Sequence, residues 1–509
     1  TLGPDTPTTF LSLTFPDVTP ALAQIDELTE GADAIELRVD LLAPGPQYIP
    51  KQLAALRLAS PLPIVYSVRS KDQGGKASST DSEAYKQLVL TGLRAGCEYV
   101  DLEVCWDAKL LDEVVKQKGH SQIIASWHDW TGEMKWNGSQ VAQKYNLCSK
   151  YGDVIKIVGT AKSIDDNLAL ASFVSSKPGK PLLAINMGAK GQLSRIINPI
   201  LTPVTHPLLP TRAAPGQLSA KQVNTARALL GLLPTKRFFL FGKPIAASVS
   251  PTLHNTGFET LGLPHVYDRY ETDTIDRGLL DRIGAENFGG ASVTIPLKLD
   301  IIPHLTTVSP DAKLIGAVNT IVPRVVDGRR ELRGENTDWQ AIAQAASSVG
   351  PGATGLVIGA GGTCRAAIYA LSQLGAARIL LFNRTPENAE KIKAAFPNAN
   401  IEVITSLESI PPPTVIVSTV PGDSLTSTRG AEGIYIDPKV VFAADTGVVI
   451  DMAYKPYQTA LLQFAREGWK SVPGVEILCL QGFLQFELWT GKRAPKEKIR
   501  QAVMEAYFA

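Results

Sequence analysis

Lys156 stands inside the run Val154-Ile155-Lys156-Ile157-Val158, an apolar stretch that offers an ammonium group no local partner. Such a strand is normally buried on both faces, and an unpaired buried charge is costly enough for the lysine to give up its proton. A neutral, desolvated amine attacks carbonyls, the opening step of Schiff-base chemistry. The plainer alternative is a side chain that reaches past the strand's end to water. What stands on the neighbouring strands decides between the two.

Apolar, β-branched runs alternate with helical patterns up to about residue 232. Strands are expected at 10–15, 34–41, 63–68, 99–104, 122–128, 153–158, 181–187 and 203–209, the last crowded by prolines. Amphipathic stretches such as 21–30, 82–95 and 139–150 lie between them. Strands alternating with helices imply a parallel sheet, and eight such units imply a closed (β/α)8 barrel. Period-two alternation then sorts the polar residues: Glu36, Arg38 and Asp40 share one parity, as do Asp101 with Glu103 and Ser126 with His128. Most lie near the C-terminal ends of their strands, where barrels build their sites, and Arg69 joins that rim. Any one of them could be a satisfied core ion pair, Glu36 with Arg38 above all. Lysine, histidine, glutamates and arginines converging on one rim point instead to a site. Lys156 would condense with a ketone, His128 would move the proton beside the resulting iminium, and Glu103 would orient the imidazole. The arginines would bind a carboxylate or hydroxyls. From residues alone this suits a class I aldolase as well as a dehydratase.

Composition narrows the remaining classes. The chain has 509 residues, a formal net charge of +1 and 44% hydrophobic content, which fits about three globular domains and gives nucleic acid no basic surface. No apolar stretch reaches the length of a membrane span, and no signal peptide is evident. Five scattered cysteines without Cys-x-x-Cys spacing, and six histidines without His-x-x-x-His, argue against a disulfide framework or a metal site. They favour a reducing, cytoplasmic setting. The chain opens on Thr1, as expected of a segment of a longer polypeptide.

After Gly231-Leu232-Leu233-Pro234 the rhythm changes. A strand at 354–358 runs into Gly359-Ala360-Gly361-Gly362-Thr363-Cys364, a helix at 365–375 and a second strand at 378–382 that ends at Asn383-Arg384-Thr385. In that context the glycines bring a pyrophosphate close to a helix N-terminus, with Cys364 a small replacement for the usual third Gly or Ala. Arg384 stands where NAD-binding chains carry an acidic residue, which favours the 2′-phosphate of NADP. Ahead of this module come Ser248-Val249-Ser250-Pro251, Ser292-Val293-Thr294-Ile295-Pro296-Leu297-Lys298, Gly316-Ala317-Val318-Asn319-Thr320 and Gly334-Glu335-Asn336-Thr337-Asp338. These hydroxyls and amides suit a polyhydroxylated carboxylate, although Ser248 and Ser250 could simply cap a helix and Asn319 could sit in a turn. Lys298 and Asp338 form a pair able to move a proton at an alcohol while hydride moves at a nicotinamide. His254 reads as a structural partner rather than a base.

The first half, through Glu36-Leu37-Arg38-Val39-Asp40, Arg69-Ser70, Ser126-Trp127-His128-Asp129, Asp153-Val154-Ile155-Lys156, Gln192-Leu193-Ser194-Arg195 and Ala214-Pro215-Gly216-Gln217, resembles type I 3-dehydroquinate dehydratase. The resemblance makes Lys156 the Schiff-base lysine, His128 the acid–base group and Glu103 the carboxylate that positions it. Arg195 would hold the substrate carboxylate, and Glu36, Arg38, Arg69 and Gln217 the hydroxyls. Ala213 departs from bacterial members, which often carry Ser there. The second half resembles shikimate dehydrogenase, with Lys298 and Asp338 as catalytic pair. That likeness assigns Ser248 and Ser250 to the substrate carboxylate, and Thr294, Asn319 and Gln481 to the ring hydroxyls. Tyr454, in Asp451-Met452-Ala453-Tyr454, falls near the nicotinamide; Gln481 would open a C-terminal helix at about 482–490. Gly359, Ala360, Gly361, Gly362, Asn383, Arg384 and Thr385 would bind NADP; quinate dehydrogenase, a close relative preferring NAD, is disfavoured by Arg384. Joined, the halves resemble the C-terminal two domains of the fungal pentafunctional AROM polypeptide, and also a bifunctional plant enzyme. Fungal repressors of quinate use share these domains with eroded catalytic positions, whereas Lys156, His128, Lys298 and Asp338 are all present here. The implied activities are dehydration of 3-dehydroquinate and NADPH-dependent reduction of 3-dehydroshikimate to shikimate. Expected divisions are 1–232 for a TIM barrel, 236–338 for an α/β substrate-binding domain, 339–475 for a Rossmann-type NADP-binding domain, and 476–509 for helices packing back on the substrate domain. Small molecules are the expected partners, with room for further N-terminal pathway domains and for a homodimer.

Overall fold

Eight short strands rich in branched side chains build the first unit of the computed structural model, which describes residues 7–43 and 45–509. They are β1 Thr9–Leu13, β2 Ala34–Arg38, β3 Ile64–Ser67, β4 Tyr99–Glu103, β5 Gln122–His128, β6 Val154–Thr160, β7 Leu182–Met187 and β8 Thr202–Val204. All pair in parallel, in the order β7-β6-β5-β4-β3-β2-β1-β8, giving a nearly closed (β/α)8 barrel whose order ends at β7 and β8. The eighth strand is the correction to the sequence reading: it spans only three residues and starts one residue before the expected 203. Pro203 has no N–H to donate, and Pro207 and Pro210 keep the following segment out of the ladder. Likewise the second strand stops at Arg38, where a 3-10 turn Val39–Leu41 takes over.

Short polar caps set the helices. Asp81 accepts from Ala84 N at the start of Ser82–Arg94, Asp107 from Leu110 N at the start of Ala108–Lys116, and Ser219 forms a capping box with Gln222. The expected helix 21–30 is instead a 3-10 turn Thr19–Gln24 running into Ile25–Leu28, with Pro20 at its start. Helices bury their apolar faces on the outside of the sheet, while Phe10, Ala34, Val65, Ile124, Val154 and Leu183 belong to a second, separate cluster. Register then aligns the polar residues. Arg38 lies beside Ser67 and Ser67 beside Asp101, while Glu103, Ser126 and Lys156 are neighbours across β4, β5 and β6.

Contacts group residues up to Pro234, with Phe258–Pro264, as one compact unit, and Thr235–Gly257 with His265–Ala509 as a second. Among the described residues the second unit holds two six-stranded sheets and a two-stranded pair, Leu425–Thr426 with Ile434–Tyr435. Strands β9 Arg237–Gly242, β10 Val266–Glu271, β11 Phe288–Val293, β12 Thr307–Val308, β13 Thr320–Val326 and β14 Arg329–Glu335 form a mixed sheet in the order β10-β9-β11-β13-β14-β12. Strands β15 Thr354–Ile358, β16 Arg378–Phe382, β17 Ile401–Ile404, β18 Val415–Ser418, β19 Gly447–Asp451 and β20 Trp469–Val472 are all parallel, in the order β17-β16-β15-β18-β19-β20. That is the 3-2-1-4-5-6 order of dinucleotide-binding sheets. The helix Gly474–Thr490 returns to the first of these sheets: Trp489 Nε1 donates to Ile321 O at 3.0 Å, and Gln485 Nε2 to Thr320 Oγ1 at 2.9 Å. It begins at Gly474, so Gln481 lies two turns inside it rather than opening it. Among the described residues no helix is long and apolar enough to cross a membrane.

Candidate active sites

In the barrel, Glu36, Arg38, Arg69, His128, Lys156, Arg195 and Gln217 line one cavity of about 50 Å³. Lys156 is 4% exposed, and it is not unpaired: Nζ donates to Asp101 Oδ2 at 2.8 Å. Arg69 Nη2 donates to the same oxygen at 2.7 Å, and Ser126 Oγ to Oδ1 at 2.5 Å. Burial alone would raise the Asp101 carboxyl, but the Arg69 and Lys156 charges outweigh it and hold it well below the carboxylate range. Asp101 thus compensates two cations, a role that its shared parity with Glu103 did not disclose.

Glu103 departs from expectation. It takes Arg69 Nη1 and Ser70 N, each at 3.0 Å, and lies outside the residues lining the cavity. Burial pushes its carboxyl up, partly offset by Arg69. It makes no hydrogen bond to His128, whose Nδ1 is buried without a partner among the described residues. His128 is anchored through its backbone N–H to Gln73 Oε1 at 2.8 Å, and burial followed by the Arg69 and Lys156 charges holds the imidazole well below its ordinary value. Glu36 and Arg38 do not pair with each other. Arg38 forms two bonds of 2.8 Å to Asp40, and Glu36 accepts Ser67 Oγ at 2.8 Å.

Arg195, from the short helix Gln192–Ile197 after β7, is 0% exposed, and among the described residues it has no carboxylate in ion-pair range. Its terminal nitrogens reach only the carbonyls of Pro203 at 3.5 Å and Pro215 at 3.3 Å, and Nε has no partner. Burial draws its pKa down to about 10. A guanidinium held this way is prepared for an anion from outside the chain. Gln217 Oε1 accepts from the N–H groups of Ala213 and Ala214. Gln73 and Trp130 also line the cavity and were missed; their signals were their places four residues after Arg69 and two after His128.

In the second unit, Ser248, Ser250, Thr294, Lys298, Asn319, Asp338, Tyr454 and Gln481 line a cavity of about 190 Å³. Lys298 Nζ donates to Asp338 Oδ2 at 2.5 Å, while Asn319 Nδ2 holds Oδ1 at 2.9 Å and lies 3.4 Å from Gln481 Oε1. Ser248 and Ser250 hydroxyls lie 3.1 Å apart. Burial raises the Tyr454 hydroxyl, and a hydrogen bond with Ser248 partly opposes that. Ser292, Thr363 and Gln485 complete the wall: Ser292 Oγ takes Tyr267 OH and donates to Gln485 Oε1, both at 2.7 Å. Sequence motifs contained Ser292 and Thr363, but Gln485 carried no local signal. His254 is wholly buried, stacked 4.5 Å from Tyr267, and burial draws its pKa down to about 3, which suits a structural partner.

The glycine turn is followed directly by Thr363, which lines the same cavity. Gly359 has φ +116°, and a Cβ there would fall 2.3 Å from Thr419 Oγ1, so only glycine fits. Gly361 faces open space and offers no side-chain cap to the helix Gly362–Gln373, leaving its first N–H groups to a ligand. Cys364 is fully buried, and Arg384 is exposed just past β16, where Asn383 Nδ2 donates to Thr385 O at 2.9 Å. These features fit a phosphorylated dinucleotide. Lys298 Nζ lies 3.3 Å from Thr363 Oγ1, so the glycine turn and the Lys298–Asp338 pair meet.

A (β/α)8 barrel with a buried lysine, followed by a substrate domain and a dinucleotide-type domain, defines a lyase module joined to an oxidoreductase module. Comparison with known proteins gives the same division: the type I 3-dehydroquinase family matches residues 9–234, the shikimate dehydrogenase substrate-binding domain 240–321, the shikimate/quinate 5-dehydrogenase family 342–420, and the shikimate 5′-dehydrogenase C-terminal domain 474–504. The chain belongs to the family of joined type I 3-dehydroquinases and shikimate dehydrogenases. The solved dehydroquinate dehydratase and shikimate dehydrogenase from S. pombe AroM is 42% identical, with 98% of each chain covered and a TM-score of 0.82. The pentafunctional AROM polypeptide of Mycosarcoma maydis is 46% identical over 98% of this chain and 32% of its own length. A shikimate 5-dehydrogenase of Thermus thermophilus, solved with NADP(H) and shikimate, is 31% identical over 53% of this chain and 99% of its own, with a TM-score of 0.46. The chain spans about a third of the length of the curated relatives it matches.

Proposed function

We propose that this chain carries two consecutive reactions: dehydration of 3-dehydroquinate to 3-dehydroshikimate in the barrel, and NADPH-dependent reduction of that product to shikimate in the second unit. The observation that carries the reading is one cavity containing Lys156, His128 and an Arg195 that has no carboxylate in ion-pair range among the described residues. Arg195 takes the substrate carboxylate; Glu36, Arg38, Arg69 and Gln217 take hydroxyls. The Arg69 and Lys156 charges hold the Asp101 carboxyl well below the carboxylate range and so make it a weak base, and proton transfer is assigned to His128. The Lys156 amine, once deprotonated, adds to the ketone and expels water to form an iminium. His128 removes the proton from the adjacent carbon and returns it to the hydroxyl that leaves as water. Hydrolysis of the iminium frees product and restores the lysine. Glu103 acts on His128 only through Arg69 and the surrounding charge.

In the second unit, Ser248, Ser250 and Tyr454 bind the carboxylate, and Thr294, Asn319 and Gln481 the ring hydroxyls. Lys298 delivers a proton to the carbonyl oxygen as it becomes an alcohol, and Asp338, fixed by Asn319, holds and resupplies it. Gly359, Ala360, Gly361 and Gly362 cradle the pyrophosphate of NADP; Arg384, with Asn383 and Thr385, meets its 2′-phosphate. A reduced nicotinamide bound there supplies the hydride. Five free cysteines suit a cytoplasmic location.

The test is a coupled assay of 3-dehydroquinate with NADPH, alongside reduction of added 3-dehydroshikimate. Lys156→Ala should abolish dehydration and leave reduction within about twofold, and Lys298→Ala should do the reverse. Borohydride with 3-dehydroquinate should add the mass of the reduced adduct at Lys156. Equal loss of both activities in either variant would contradict two separate sites.

A further inference from the structure

Tyr454 faces the reductase cavity on a segment with little structure of its own. Between β19 and the short helix Ala460–Gln463, the chain is tied at its two ends by Asp451, which accepts Ala453 N at 3.1 Å and Thr459 Oγ1 at 2.6 Å. Inside that span Tyr454 takes no part in a strand or helix, and its carbonyl is taken by the hydroxyl of Tyr507, more than fifty residues onward. Tyr507 sits in the last turn of Lys496–Phe508, where its ring lies 6.0 Å from Tyr457 of the same segment. Phe508 adds a further ring 5.4 Å from Tyr457.

The other end of this clasp is firm. Ile499 and Val503 are 0% exposed, Arg500 pairs with Glu476 at 2.7 Å, and the Arg500 guanidinium lies 5.7 Å from the Phe483 ring. Glu476 and Phe483 belong to Gly474–Thr490, the helix that carries Gln481 and Gln485 into the cavity. The final helix therefore touches two walls of one pocket: it packs on the helix bearing Gln481 and holds by its hydroxyl the segment bearing Tyr454.

We infer that Tyr507 is a positioning residue of the reductase, setting the Tyr454 side chain against Ser248 at the carboxylate-binding end of the pocket. This rests on the assignment of that pocket to 3-dehydroshikimate. Tyr507 contacts no substrate; it removes the freedom of a segment that otherwise must be ordered on binding, so its loss falls on KM and not on hydride transfer.

The experiment compares wild type, Tyr507→Phe, Tyr454→Phe and the double variant in the full chain, measuring kcat and KM for 3-dehydroshikimate at saturating NADPH, and KM for NADPH. Tyr507→Phe keeps the aromatic packing and removes only the hydrogen bond. The expected result is a rise in KM for 3-dehydroshikimate of about 3- to 10-fold, with kcat and the KM for NADPH changed by less than about twofold. In the Tyr454→Phe background the same substitution should add little, because its effect runs through that side chain. An unchanged KM, a full additive effect in the double variant, or a parallel loss in kcat and NADPH binding would each overturn the inference. A wild-type chain unable to reduce 3-dehydroshikimate would overturn the pocket's assignment as well, a result distinct from those three.

Discussion

Replacing Arg195 with Met should make the barrel more stable and its chemistry far worse. The guanidinium is fully buried, has no carboxylate partner among the described residues and holds two carbonyls at the limit of hydrogen-bond range. Its pKa is drawn down to about 10 by burial alone, a drop worth on the order of 3 kcal/mol against the charged form. Methionine fills similar volume with no charge to desolvate, and such replacements commonly gain about 1–4 kcal/mol. Allowing for two carbonyls that lose weak donors, a net gain of about 1–2 kcal/mol remains, or roughly 2–8 °C in the barrel's calorimetric transition. The sign against pH follows from the depressed value. The folded chain sheds this proton more readily than the unfolded chain, so the penalty is constant below about 10 and is relieved only as pH rises past it. The gain should therefore be the same from pH 6 to 9. Function moves the other way: a buried anion loses its charged partner, at a cost of about 2–5 kcal/mol, so KM for 3-dehydroquinate should rise by more than about 30-fold. Calorimetry of the full chain and initial rates of dehydration decide the matter. A variant that is less stable, or that keeps its KM, would show that Arg195 is a structural residue and not a carboxylate receptor.

Two further outcomes are expected. In the folded chain the His128 imidazole is held well below its ordinary value by burial and then by Arg69 and Lys156. Below about pH 6.5 the unfolded chain takes up a proton that the folded one refuses, so stability present above that pH is lost as pH falls, by up to about 1.4 kcal/mol per pH unit. His128→Gln should remove this component, read as a shallower fall in urea midpoint between pH 7 and 5; parallel slopes would refute it. Arg384→Ala should raise KM for NADPH by about tenfold and leave KM for NADH unchanged, since a charge-assisted contact of about 1.5 kcal/mol is lost for the 2′-phosphate alone. Equal effects on both nucleotides would place Arg384 outside the cofactor site.

Much of the fold was legible because its signals are local. Alternation along 34–41 and 99–104 told which residues share a face, and Gly359 and Gly361 marked a turn whose backbone demands no side chain. Caps at Asp81, Asp107 and Ser219 depend on residues three positions away. The eighth strand was misplaced because Pro203 still sits inside a short ladder while Pro207 and Pro210 do not, a distinction that needs the neighbouring strand β1. Similarly, the helix that carries Gln481 starts at Gly474, and Ile477 in its first turns is buried in the core of the parallel sheet, a contact that no signal around Gln481 reveals.

By itself the sequence marked the side chains able to do chemistry and the strand face each one shares. Only the tertiary structure decided what each one meets. Asp101 reaches Lys156 across 55 residues and takes Arg69 on the same oxygen; Glu103, two positions along the same strand, is turned to Arg69 and Ser70 and leaves His128 Nδ1 without a partner. Arg195, marked in the sequence by its motif, reaches the cavity with no carboxylate in ion-pair range among the described residues. Side-chain parity is a property of one strand. Which opposite charge lies within 3 Å is a property of how strands register against one another, and that is fixed by the packing of the whole barrel.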